Sequence, residues 1–310
     1  YTIMSNLLDK ASIILTPTAY NNGEALCVKP SDGSGDFDFS RNSAATRVNA
    51  QGLVENVQII SSNLVQNGDF SEEGAEEVSN GSFSNGSTDW VLGTGWSIGE
   101  DKAIFDGGSD ANIIQTNGIT IGNTFKVTLD VSDMDNGELS VRLGGGAATE
   151  IARIQSNGSY VFYGVAISSN ITFRALSSFN GSITNISVKE VGQDWTFSSG
   201  ASLTDLGAKI THTPTAGSVS QTSVLTIGKS YKLTYEITES VSGGLKFNSA
   251  VNSSMVTTVG VHTKYLEADA TTASFSRTSS SNNDVTITNI SILEITDDTN
   301  LPRINYENFS

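Results

Sequence analysis

The chain has 310 residues, with 17 Lys or Arg against 33 Asp or Glu and a net charge of −16. A pI of ≈ 4.4 with no basic run leaves too few cations to displace counterions from a phosphate backbone, which excludes nucleic acid as a partner. No apolar stretch approaches the ~18 residues of a membrane-spanning helix, so insertion into a membrane is excluded too. One cysteine (Cys27) precludes an internal disulfide, and two histidines (His212, His262) are too few for a Cys/His zinc cluster.

Residues 1–60 hold a helical turn near Ser5–Lys10 and two strand candidates, Asp36–Phe39 and Thr46–Val54. Their apolar positions are too few to close a core, so this segment is expected to fold by docking on another chain. Phe37, Phe39, Arg41 and Arg47 are the residues expected to make that attachment. Arg41 and Arg47 also stand close to Asp36 and Asp38, so internal ion pairing around the turn is the plainer role for them.

From residue 61 onward the chain reads as strands, and as two copies of one domain. Ile183-Thr-Asn-Ile-Ser-Val-Lys-Glu-Val191 recurs as Ile287-Thr-Asn-Ile-Ser-Ile-Leu-Glu-Ile295, with six identities in nine positions. Ile121–Val131 matches Ile227–Ile237 in the same way, at offsets of 104 residues for the first pair and 106 for the second. A period of that length is a whole domain. Within the blocks, Phe125, Val127, Leu129 and Val131 alternate with polar residues, as do Tyr231, Leu233, Tyr235 and Ile237, which is the period of a half-buried strand. Asp135-Asn136-Gly137 suits a hairpin turn leading into a new strand from Leu139 to Leu143. The further candidates are Ser159–Val165, Ile171–Ala175 and Ile183–Val191, then Ser223–Ile227, Leu245–Asn248, Ala273–Arg277 and Val285–Ile295. The expected architecture is all-β: residues 1–60 as an extended attachment segment, antiparallel β-sandwiches at 61–191 and 192–296, and 297–310 as a linker toward further domains or a tail.

Asn63-Leu-Val-Gln-Asn-Gly-Asp-Phe70, followed by the Gly95-Trp96 strand and closing on Ile-Thr-Asn-Ile-Ser, resembles the jelly rolls of carbohydrate-binding modules. The resemblance covers roughly residues 62–191 and, without the opening signature, 192–296. The segment Val28–Glu55, which includes Asp36-Phe-Asp-Phe-Ser-Arg-Asn-Ser-Ala-Ala-Thr-Arg-Val48, resembles the leader of tailed-bacteriophage structural proteins, typically tail fibres or other virion appendages. Leu301-Pro-Arg-Ile-Asn-Tyr306 is similar to a segment that leads into further domains in such proteins, with Asn305 in place of an Asp. These resemblances imply a virion location, a homotrimer, and attachment to portal, tail or adaptor proteins through residues 1–60. The chain is then a structural part that spaces or presents host-recognition elements, or alternatively a glycan-binding module for host-surface polysaccharide.

Glycan binding in such modules implies aromatic rings stacked on sugars with polar neighbours. Trp96 and Trp195 occupy what read as matching positions in the two copies, which points to the core. Trp90 follows the loop-like stretch Asn85-Gly-Ser-Thr-Asp89 without an evident counterpart, so Trp90, Asp89 and Tyr160 are the candidate sugar contacts, packing beneath the loop being the plainer role for Trp90. Tyr160 and Tyr163 fall on opposite faces of one strand. Residues 61–110 carry ten carboxylates against Lys102 alone, centred on Glu72, Glu73, Glu76 and Glu77. Such an oxygen-rich loop suits a structural calcium held by Asn67 and Asp69, or is simply a solvated acidic loop; no other cofactor is implied. Paired carboxylates of the glycosidase kind are the only catalytic equipment the composition leaves, and nothing in the sequence pairs them, so no enzymatic activity is expected.

Overall fold

The computed structural model describes residues 61–297, apart from 117, 213–216, 251–253 and 279–281, and the strand backbones that precede residue 61. Those early strands form a three-stranded antiparallel sheet, Ile14–Asn21, Glu24–Lys29 and Phe37–Asp38, and a hairpin of Ala45–Val48 with Val54–Val57. In place of the expected single strand over Thr46–Val54 there are thus two strands, Ala45–Val48 and Val54–Val57, paired antiparallel. The helical turn at Ser5–Lys10 lies outside the described residues, as do the side chains of Phe37, Phe39, Arg41 and Arg47.

Two β-sandwiches follow, each around its own core, and among the described residues the helical structure is one 3-10 turn, Ala147–Thr149. In the first sandwich two long strands, Thr124–Arg142 and Ile171–Val191, pair antiparallel along nearly their whole length. Their pairing slips at Thr128/Asp130, Ser132/Asn136 and Asn136/Glu138. Bulges of this kind bend and twist a ladder, so the two strands leave one layer and enter the other. The first layer adds Gly158–Val165, Lys102–Asp106 and Trp96–Gly99; the second adds Glu150–Ile154, Ala111–Gln115 and Val91–Leu92. Asp135-Asn136-Gly137 is therefore no hairpin turn: it is the corner where the strand changes layer. Gly137 has φ +80°, and a Cβ there would stand 2.3 Å from Phe179 N. The strands expected separately at Ile171–Ala175 and Ile183–Val191 are likewise one.

The second sandwich repeats this plan with Ser230–Ser242 and Asp284–Asp297 in the central places. Gly260–Glu267, Gly207–Thr211 and Ala201–Thr204 complete one layer; Leu245–Phe247, Ala273–Arg277, Ser218–Gln221 and Thr196–Phe197 form the other. The most faithful part of the sequence repeat has a structural cause. Asn185 and Asn289 take positive φ (51° and 49°), a conformation Asn tolerates better than most residues. Each donates its amide to the acid across the bulge, Asp130 at 2.7 Å and Glu236 at 2.6 Å. The following Ile186 and Ile290 turn their N–H groups away from the ladder.

What those N–H groups bind changes the expected domain boundaries. Ile290 N–H donates to Gly68 O (2.9 Å), and Ile186 N–H to Gly81 O (3.0 Å). The opening motif Asn67-Gly-Asp-Phe70 therefore belongs to the second sandwich, and a near copy thirteen residues later, Asn80-Gly-Ser-Phe83, opens the first. The parallels are close. A Cβ on Gly68 or Gly81 would lie 2.0 Å from the Ile290 or Ile186 carbonyl oxygen. Gln221 brackets the Gln66 backbone with both amide atoms, and Gln115 brackets Ser79. Trp195 donates its indole N–H to Asn67 O and packs 5.2 Å from Phe70; Trp90 donates to Asn80 O and packs 5.4 Å from Phe83. Val65 and Phe70 lie in the core with Leu233 and Ile292, whereas Val78 and Phe83 lie with Val127 and Val188. The first sandwich, residues 73–191, is thus inserted into the second, which comprises 61–72 and 192–297.

Candidate functional site

The structural equivalences correct the tryptophan assignments. Trp195 corresponds to Trp90, not to Trp96, and all three indoles are buried. Trp90 is 5% exposed, with its N–H bonded to backbone, so it is a core residue and offers no stacking face. Asp89 is exposed in the turn before it, at φ +68°. Tyr160 is half-buried against the first core, stacked on Phe162 at 5.8 Å, with its hydroxyl donating to Ser156 O at 2.7 Å. These three residues do not converge on one surface pocket. Asn67 is a brace: its Oδ1 accepts from Glu72 N–H and its Nδ2 donates to Gln193 O. Asp69 accepts from Ser71 N–H and Oγ, which hold its carboxyl below the ordinary range. Among the described residues no group of three or more His, Cys, Asp or Glu is placed to hold a metal ion.

The outer face of the second layer of the first sandwich carries a different arrangement. Leu139, Val141 and Leu143 enter the core, which leaves Ser140 and Arg142 on the opposite face; Phe173 and Ala175 likewise leave Thr172 and Arg174. Register aligns these across four strands: Arg153, Ser140, Arg174 and Asn112 in one row, and Glu150, Arg142, Thr172 and Ile114 in the next, with exposed Val91 beyond Ile114. Although they face away from the core, Thr172 is 0% and Arg142 4% exposed.

Electrostatics tie one side of this face together. Ser140 Oγ donates to Glu150 Oε2 (2.6 Å) and accepts from Arg142 Nε (2.8 Å). Arg153 bridges Glu150 (2.7 Å) and Glu138 (2.8 Å), and Gln155 donates to Glu138 (2.6 Å). Burial pushes the Glu150 carboxyl up, but the hydrogen bonds from Arg153 and Ser140 outweigh it, so the net shift is downward. The other side is left open. Thr172 Oγ1, Arg174 Nε and Asn112 Oδ1 are buried and have no hydrogen-bond partner. Arg174 reaches Asp110 only through Nη2, at 3.5 Å. Buried polar atoms are nearly always paired, and each unpaired one costs about 1–3 kcal/mol.

The second sandwich supplies an internal control. At the equivalent positions stand Lys246, Asn248, Ser274 and Ser276, given that Phe275 and Phe247 replace Phe173 and Val141 in the ladder. There Ser276 Oγ donates to Asn248 Oδ1 and Asn248 Nδ2 to Ser274 Oγ, both at 3.0 Å. That face satisfies itself; the first does not. Sequence reasoning passed over Arg142, Thr172, Arg174 and Asn112 because alternation marks them only as solvent-side residues.

Clefts of about 380, 540 and 420 Å³ run along the junction of the two sandwiches. Lys126 and Tyr163 line the first two, facing Thr204 and Asp205. Lys126 is held by Glu73 (2.7 Å), and burial pushes the Tyr163 phenol up.

No family model and no curated protein matches the chain. Among solved structures it is similar to the CBM22-1–CBM22-2 tandem domain of Paenibacillus barcinonensis Xyn10C, at 9% identity over 72% of this chain and 99% of that one, with a TM-score of 0.32. A CBM4 structure is similar at 11% identity over 40% of this chain and 98% of that one, TM-score 0.26. Allantoicase from Saccharomyces cerevisiae is similar at 6% identity over 64% and 82%, TM-score 0.24. Likeness of this depth bears on neither ligand nor activity.

Proposed function

We propose that the chain is a non-catalytic glycan-binding protein of a phage appendage, whose first sandwich engages polysaccharide on the Arg142–Thr172–Arg174 face. The observation that carries this reading is the set of buried, unpartnered polar atoms there, absent from the equivalent face of the second sandwich. Asn112 Oδ1 is an acceptor, Arg174 Nε a donor, and Thr172 Oγ1 both. Sugar hydroxyls, which donate and accept, complement all three once the half-buried Arg174 and Asn112 side chains shift to admit them. Ile114 and Val91 extend the row with apolar surface of the kind that the C–H face of a pyranose covers. A purely structural shaft would have no reason to leave this face less satisfied than its counterpart.

The virion setting and attachment through residues 1–60 rest on the leader motif between Val28 and Glu55. The absence of catalysis is supported by Glu150, a half-buried carboxylate on the face: its carboxyl is shifted downward, whereas a glycosidase acid needs a raised one. The test is a panel of bacterial surface polysaccharides presented to the full chain. Arg174→Ala is expected to weaken the bound glycan at least tenfold while the fold persists, about 1.4 kcal/mol. Binding that survives Arg174→Ala and Thr172→Val, or a blank panel, overturns the reading.

A further inference from the structure

The junction inside the chain has an unused counterpart. The first sandwich sits on the second through the outer side of Gly158–Val165, where Tyr163 packs against the second core. Register places Lys126 directly beside Tyr163. The receiving surface is the turn Thr204-Asp205-Leu206-Gly207, flanked by Glu236 and Asn289.

Both halves of this contact recur elsewhere. In the second sandwich register pairs Lys232 with Tyr265, as it pairs Lys126 with Tyr163 in the first. Here Tyr265 is 46% exposed and Val261, further along the same strand face, 67%, while Lys232 is half-buried. Lys126 has Glu73 as its counter-charge, whereas Lys232 pairs with no carboxylate among the described residues. The receiving turn recurs in the first sandwich as Gly99-Glu100-Asp101-Lys102, because Gly99 closes on Lys102 as Thr204 closes on Gly207. Asp130 and Asn185 flank it in place of Glu236 and Asn289. Glu100, Asp101 and Asn185 are exposed.

We propose that the Lys232–Tyr265 face of one chain docks on the Glu100–Asp101 turn of a second copy, head to tail, repeating between chains the junction that exists within each. The occupant is a second copy because the same molecule presents both a strand face with Val261 and Tyr265 exposed beside a cation that is unpaired among the described residues, Lys232, and the acidic turn whose equivalent already receives such a strand. The contact is heterologous, so it extends into a row or closes into a ring.

Sedimentation velocity of the full chain over a range of concentrations tests this. The wild-type chain is expected to gain mass reversibly with concentration. Lys232→Glu and Glu100→Lys should each abolish that gain, while circular dichroism and melting show them folded. The double variant should recover it, since every contact then pairs a glutamate at 232 with a lysine at 100. Tyr265→Ala should abolish the gain without changing charge. A chain that gains no mass, a gain that survives Lys232→Glu or Tyr265→Ala, or a double variant that fails to recover it overturns the proposal.

Discussion

Replacing Thr172 by Val separates a hydroxyl kept for a ligand from one that serves the fold. Thr172 is fully buried and its Oγ1 has no partner, so the free protein bears the desolvation cost without a compensating bond. Val keeps the β-branched shape on a strand and removes the hydroxyl. The expected effect is a gain of about 1 kcal/mol, taken from the low end of the 1–3 kcal/mol cost of an unpaired buried group. For a sandwich of this size that raises Tm by about 3–4 °C. Ser140→Ala, one strand away on the same face, should do the opposite. Its hydroxyl joins Glu150 to Arg142, so removing it leaves two charged groups short of a partner, at a cost of about 2 kcal/mol. Calorimetric melting of the two variants, with glycan binding measured alongside, is the assay. Thr172→Val should be more stable and bind less. If it is destabilised as Ser140→Ala is, the hydroxyl already has a structural role and the reasoning fails; if it binds normally, the hydroxyl is not a contact.

Three further outcomes are expected. Gly68→Ala places a Cβ 2.0 Å from Ile290 O and should cost about 3 kcal/mol, lowering the melting of the second sandwich and not the first, as followed by hydrogen exchange in each. A fragment of residues 73–191 should fold alone, whereas 192–297 should not fold until residues 61–72 are added, because Val65, Phe70 and the backbone partners of Gln221 and Trp195 come from that segment. The Asp133 carboxyl, bonded to Ser182, Lys102 and Ser132, should titrate at about 2 in an NMR experiment and move toward the ordinary range in Lys102→Ala. Its folded value is depressed, so its contribution to stability is present at neutral pH and is lost as pH falls from the usual carboxylate range toward about 2.

The all-β architecture and the existence of two copies were legible because alternation and self-similarity are local signals. Phe125 to Val131 and Tyr231 to Ile237 alternate in the structure as they do in the sequence. The nesting was not legible. Asn80-Gly-Ser-Phe83 shares only Asn, Gly and Phe with Asn67-Gly-Asp-Phe70, lies in a Ser/Asn-rich stretch, and reads as one more turn. Consecutive elements usually neighbour one another in space, so in the sequence the first motif reads as part of the first domain. The tryptophans are masked in the same way, since Trp90 follows its motif within ten residues whereas Trp195 meets its motif across an inserted domain. The arginine face was hidden for another reason. Alternation tells which residues avoid the core, but not that Thr172 and Arg142, facing outward, are nonetheless sealed from water.

The insertion also decides which part of the molecule a pull on its two ends would reach. Ile59–Ile60 lies beside Ile295 and Asp297, and Ile292 N–H bonds to Asn63, so the chain enters and leaves the second sandwich along adjacent strands. Tension drawn between the two ends passes across that strand pair and through the second sandwich alone. The first sandwich, with both its ends anchored on its host, hangs outside the line of force and keeps its arginine face intact until the host itself has been pulled open.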